Sequence, residues 1–142
     1  MKKILLLFTA LFIISSCSLD PDEDIKYNVE FLPIEAVLIP EYVVPGHTYE
    51  VRAKFIKPNG CYLFDRFHSE KDGESVIIAV QTMVRQEGEC KKYETNTIEE
   101  RSFTFSCDES YTSSNAYYFK FFRGLDVEGN KTYTQVMIPV KL

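Results

Sequence analysis

Tyr49-Glu50-Val51-Arg52-Ala53-Lys54-Phe55 alternates apolar and charged side chains through seven residues. Successive side chains of a strand point to opposite faces, so this pattern puts Tyr49, Val51, Ala53 and Phe55 against a core and Glu50, Arg52 and Lys54 in water. From about Tyr27 onward no segment of adequate length repeats its apolar residues every 3.6 positions. Helix is therefore expected to be scarce and the chain all-β.

Working outward, Lys57-Pro58-Asn59-Gly60 ends that strand and Cys61 to His68 forms the next. Glu70-Lys71-Asp72-Gly73 turns the chain into Ser75 to Arg85, where Val76, Ile78, Val80, Thr82 and Val84 share one face. A polar segment from Gln86 to Asn96 follows. In Arg101 to Cys107, Phe103, Phe105 and Cys107 alternate with Ser102, Thr104 and Ser106. A loop from Asp108 to Asn115 leads to the last two strands, Ala116 to Arg123 and Lys131 to Leu142. With Tyr27 to Ile39 as an opening strand broken by Pro33, the expectation is seven strands, spaced as in a two-sheet sandwich over residues 27–142.

The closing segment YYFKFFRGLDVEGNKTYTQVMIPV, residues 117–140, is similar to the last two strands of bacterial immunoglobulin-like and fibronectin-type modules. There an Asp-x-x-Gly-Asn turn joins an aromatic strand to a β-branched terminal one. The resemblance implies an immunoglobulin-like or fibronectin-type antiparallel β-sandwich. The chain has no tryptophan and lacks the inter-sheet cysteine pair, so it departs from antibody domains.

Before this domain, Lys2 and Lys3 precede eleven mostly apolar residues, Ile4 to Ile14, and then small residues, the pattern of a secretory signal peptide. Eleven helical residues rise about 17 Å, short of the roughly 30 Å hydrocarbon layer. Ile14-Ser15-Ser16-Cys17 resembles the lipobox of bacterial lipoproteins. That resemblance implies cleavage after a signal peptide of residues 1–16 and attachment of diacylglyceryl to the Cys17 thiol. It also implies that the new amine can be acylated too, and several acyl chains on Cys17 would hold the protein stably to a membrane by lipid alone. The alternative is an ordinary cleaved signal with an incidental cysteine.

Residues 17–26 form an acidic tether, with Asp20, Asp22, Glu23 and Asp24 close behind the cysteine. Ser18 at the sorting position resembles lipoproteins passed to the outer membrane. The acidic cluster resembles the export signal of surface lipoproteins in the Bacteroidetes, and the chain as a whole looks like small flavobacterial-type lipoproteins, a likeness that implies no activity. The expected location is the outer membrane, its outer face favoured over the periplasmic one; the competing reading makes the acids a solubilising spacer.

Losing Lys2 and Lys3 leaves 14 basic against 21 acidic residues, a net charge of −7. No basic footprint for nucleic acid is present. With Cys17 acylated, Cys61, Cys90 and Cys107 remain, an odd number that allows one internal disulfide in an exported chain. Cys61 and Cys90 lie in polar, turn-like surroundings and are expected to pair, while Cys107 continues the inward row of Phe103 and Phe105 as a buried thiol.

The sequence holds no nucleophile elbow, phosphate loop or zinc spacing. Asp65 with His68 has no serine placed to join it, and His47 follows a Pro-Gly turn. Asp126, Glu128 and Asn130 could ligate Ca²⁺ through oxygen, or simply close a solvated hairpin. No cofactor, metal or enzymatic activity is expected.

What remains is the aromatic content, nine Tyr and eleven Phe. With Val136, Ile138 and Val140 inward, the opposite face of the last hairpin carries Tyr118, Lys120, Phe122, Tyr133, Gln135 and Met137, a patch suited to a protein or glycan partner. Tyr62 and Phe64 join it if their strand turns that way, but the inward parity of that strand is ambiguous, and taking Leu63 and Phe67 inward also turns Asp65 inward. The same residues can lie beneath the N-terminal segment or a loop, or stand as isolated surface aromatics. Two functions follow: a lipid-anchored, non-catalytic binding module, or a structural accessory subunit of an outer-membrane or periplasmic assembly.

Overall fold

The computed structural model describes residues 25–112 and 114–142. The signal peptide, Cys17 and most of the acidic tether lie outside the described residues. Among the described residues there is no helix, and the chain is an all-β sandwich of two packed sheets.

Eight strands run in the order β1 (Tyr27–Leu32), β2 (Ile34–Leu38), β3 (Thr48–Asn59), β4 (Tyr62–Asp72), β5 (Ser75–Arg85), β6 (Lys92–Ser106), β7 (Ala116–Leu125) and β8 (Lys131–Pro139). The eighth arises because Pro33 splits the opening strand between sheets. Leu32 pairs with Val80 of β5, whereas Ile34 pairs with Phe55 of β3. Proline has no N–H to give a ladder, so the chain changes sheets where the ladder must break. Arg123 clasps this switch from β7, its Nη1 donating to the Ile34 and Glu35 carbonyl oxygens. Gly124 beside it adopts φ +103°, and a Cβ there would stand 3.3 Å from Pro33.

The three-stranded sheet has the order β2-β3-β6. In the five-stranded sheet β5 is central: β4 pairs along one side of it, and on the other side β1 takes Val80–Arg85 while β7 takes Ser75–Ile78, with β8 beyond β7. The β5–β7 ladder is parallel, and every other ladder is antiparallel. A parallel neighbour needs a crossover. Here β6, laid in the opposite sheet, supplies it.

β6 begins at Lys92, nine positions before the expected Arg101. Its polar first half is held on β3 because Asn59 pairs with Lys92, and the Gly60 N–H donates to the Lys91 carbonyl at 2.8 Å. Cys61 and Cys90 form a disulfide beside that contact, and Cys107 is a buried free thiol.

The core forms where the alternating strands meet. Val51, Ala53 and Phe55 of β3 are fully buried, as are Val80 and Thr82 of β5 and Ile138 of β8. Rings link the layers, Phe55 to Phe64 at 5.9 Å, Phe67 to Phe103 at 5.1 Å and Phe105 to Phe119 at 5.2 Å. Near the disulfide the interior turns polar. There Glu99 meets Lys57 at 3.3 Å and Arg101 at 2.6 Å, and the Arg101 guanidinium lies 5.3 Å above the Phe64 ring.

Candidate interaction surface

The outward face of the five-stranded sheet can be read strand by strand from the register. Residues directly opposite in an antiparallel pair share a face. Tyr118 lies opposite Met137, Lys120 opposite Gln135 and Phe122 opposite Tyr133, so all six residues of the sequence-derived patch sit together. β5 extends the rows, with Ser75 beside Tyr118 and Ile77 beside Lys120, and β4 places Asp72 and Glu70 beyond them.

The patch is less open than the sequence suggests at two positions. Phe122 is only 7% exposed, its ring 6.1 Å from that of Tyr133. Lys120 is engaged by Asp72 at 2.7 Å, which converts the centre of the patch into an ion pair. Met137, 56% exposed, is its most open apolar member.

A larger part of the apolar surface lies where the sequence reading did not place it. Val29 of β1, Met83 of β5 and Leu63 of β4 form one cross-strand row, and all three are exposed, Val29 by 58%. Phe31, 41% exposed, follows on β1 and packs on His68 with ring centroids 5.2 Å apart. Phe31, His68, Ala79, Phe122 and Tyr133 then line a shallow groove, with Glu70 and Lys131 at its rim.

β1 is the unexpected strand. In YNVEFL the alternating apolar residues Tyr27, Val29 and Phe31 face solvent, while Glu30 and Leu32 lie opposite the core residues Thr82 and Val80. Glu30 is accommodated because its carbonyl accepts from the buried Thr82 hydroxyl at 2.9 Å and its carboxylate accepts from the Tyr62 hydroxyl at 3.0 Å. Burial, aided by that carboxylate, pushes the Tyr62 phenol above its ordinary pKa. The available signal was the alternation itself, but periodicity does not say which face is the inner one.

Tyr62 and Phe64 do not join the outward patch. They pack against the core, as does Phe67, because a β-bulge between Phe64 and Arg66 inserts Asp65 as an extra residue and switches the parity of β4. Asp65 consequently does not turn inward. It accepts from Gln81 at 2.7 Å and from Arg66 at 3.0 Å, while His68 meets Glu70 at 4.0 Å.

The outward face of the three-stranded sheet is mixed, with exposed Leu38 and Ile98 flanking a charged centre. Glu50, Arg52 and Lys54 of β3 form ion pairs among themselves and with Glu100 of β6 at 3.5–3.9 Å. Exposed pairs of this kind contribute little to stability but keep a face wetted.

The hairpin turn closes on itself. The Asp126 carboxylate accepts the backbone N–H groups of Glu128 and Asn130 at 2.9 and 2.8 Å and the Asn130 side-chain amide at 3.1 Å, with Gly129 at φ +87°. The hydrogen bonds from Asn130 are the main cause holding the Asp126 carboxyl below its usual pKa. Among the described residues no group of three His, Cys, Asp or Glu is placed to hold a metal ion.

No protein-family model, curated protein or solved structure matches this chain.

Proposed function

We propose that this protein is a lipid-anchored envelope lipoprotein, and that its sandwich works as a non-catalytic binding module through the outward face of the five-stranded sheet. The observation that supports this reading is the inverted β1, which turns Val29 and Phe31 to solvent in continuity with Leu63 and Met83. A half-solvated strand ordinarily carries polar side chains on its outward face, and β1 carries apolar ones there. On the opposite face Leu38 and Ile98 stand apart beside the ion pairs, whereas Val29, Met83 and Leu63 are contiguous across three strands, and contiguous exposed apolar surface favours a partner. Lipid on Cys17 and an outer-membrane location come from the N-terminal sequence pattern.

The test places a photo-crosslinking amino acid at Phe31 in one full-length chain and at Thr104, on the opposite face, in another. Irradiation of intact cells is expected to give a discrete adduct from position 31 and none from position 104. Equal labelling, or none, overturns the assignment of the face. Protease treatment of the same cells, with Cys17→Ala as control, reads the location: digestion without permeabilisation puts the domain on the outer surface. Protection until permeabilisation puts it in the periplasm and favours the accessory-subunit role.

A further inference from the structure

The smaller sheet ends in β2 and β6, and the larger in β4, β8 and, because it shares one side of β5 with β7, also β1. The outer N–H and C=O groups of such edges are open to another chain unless protected. Four of the five edges are short or defended: β1 has six residues and stops at Pro33. β2 is only five residues long, β4 carries a bulge at Asp65 and the run Glu70-Lys71-Asp72, and β6 carries Lys92, Glu94, Glu99, Glu100 and Arg101.

β8 has none of these defences. Its nine residues, KTYTQVMIP, hold one charge, Lys131, and its proline stands at the last position. The bulge in the β7–β8 ladder falls on β7, at Arg123, so β8 itself runs regularly. Among the described residues its outer edge is met only at its end, where the Val43 N–H donates to the Pro139 carbonyl at 3.0 Å and Val43 bridges Val140. Residues 131–137 are left open.

A second feature sits beside this window. Thr134 shares the inward parity of Val136 and Ile138 yet is exposed, because β8 overhangs the narrower sheet. Under the overhang lies a cleft lined by Ile34, Ala36, Val37, Phe121 and Thr134, with the Arg123–Glu35 ion pair in its wall.

We propose that β8 pairs antiparallel with β8 of a second copy of this chain, centred on Thr134. In that register Thr134 faces Thr134, Tyr133 faces Gln135, Thr132 faces Val136, and Lys131 faces Met137. No like charges meet, although the chain as a whole is acidic, and the stretch complements itself about a two-fold axis as an isologous dimer requires. The partner strand extends the inner layer over the cleft and joins the two outward faces into one sheet. Main-chain pairing of this kind is the common mode of strand addition at an open edge.

The experiment uses the full-length chain in the cells that express it. Thr134→Cys is expected to give, under mild oxidation, a disulfide-linked species of twice the monomer mass. Ser102→Cys on the exposed side of β6, and the unsubstituted chain with Cys17 and Cys107, are expected to give none. Thr134→Lys puts two ammonium groups face to face and is expected to lower co-isolation of two differently tagged copies by roughly tenfold or more. A Thr134→Cys chain that stays monomeric overturns the proposal, as does equal cross-linking from Ser102→Cys or unchanged co-isolation with Thr134→Lys. None of these variants touches Val29, Phe31, Leu63 or Met83, so the result is independent of the binding-face reading.

Discussion

At the scale of single residues, the end of the core near the Cys61–Cys90 bridge carries two separable contributions to stability. The disulfide closes a loop with a sequence separation of 29 residues, worth roughly 3–4 kcal/mol in the chain-entropy model. Replacing both cysteines by serine is expected to lower the melting temperature by about 10 °C, measured by circular dichroism without reductant. For Glu99, burial works to raise the carboxyl's pKa, but Arg101 and Lys57 outweigh it and hold it below the usual carboxylate range. A carboxylate whose folded pKa is depressed stabilises the fold above its unfolded pKa, and that stability is lost as pH falls through the folded value. Glu99→Gln should therefore be less stable than the parent from pH 7 down to about 4.5, with the gap closing in more acid solution. Urea titrations at a series of pH values check this; a constant gap contradicts it.

At the scale of elements, the alternation of Tyr49–Phe55 specified β3, and the run Val76–Val84 specified the inner face of β5, because each sequence pattern matches one buried face. The pattern was silent on β6, whose residues 92–100 are mostly polar, although Thr97–Glu100 ladder directly onto β3 and Lys92 is tied to Asn59 beside the disulfide. β4 was ambiguous for a different reason: one inserted residue, Asp65, reverses parity midway, and no periodicity survives such a step. Pro33 marked a break but not a change of sheet. That change depends on Arg123, a residue 90 positions away that reaches the Ile34 and Glu35 carbonyls. Arg123→Met removes these charge-assisted bonds at a cost of about 1.5–3 kcal/mol. Hydrogen exchange should show faster exchange in β2, while β4 and β5 keep their protection.

At the scale of the molecule, a sandwich was legible from strand count and turn spacing, and the six residues named on the last hairpin do share a face. The wider apolar surface was not legible, because Val29 and Phe31 carry the same alternation as core residues and only pairing with β5 shows that they point outward. If that surface is free, Val29→Lys and Met137→Lys should each change unfolding free energy by no more than about 0.5 kcal/mol while reducing binding of a hydrophobic dye. A loss above about 1 kcal/mol would mean that another part of the chain covers the face. The switch at Pro33 also governs how the molecule bears load. Tension applied at residue 25 falls first on the β1–β5 pairs, from Tyr27 opposite Arg85 to Leu32 opposite Val80. It then reaches Ile34, where the path passes into the other sheet under the grip of Arg123. β1 therefore takes such a load before β2 does, and Leu32 at its end is the residue that ties it into the core.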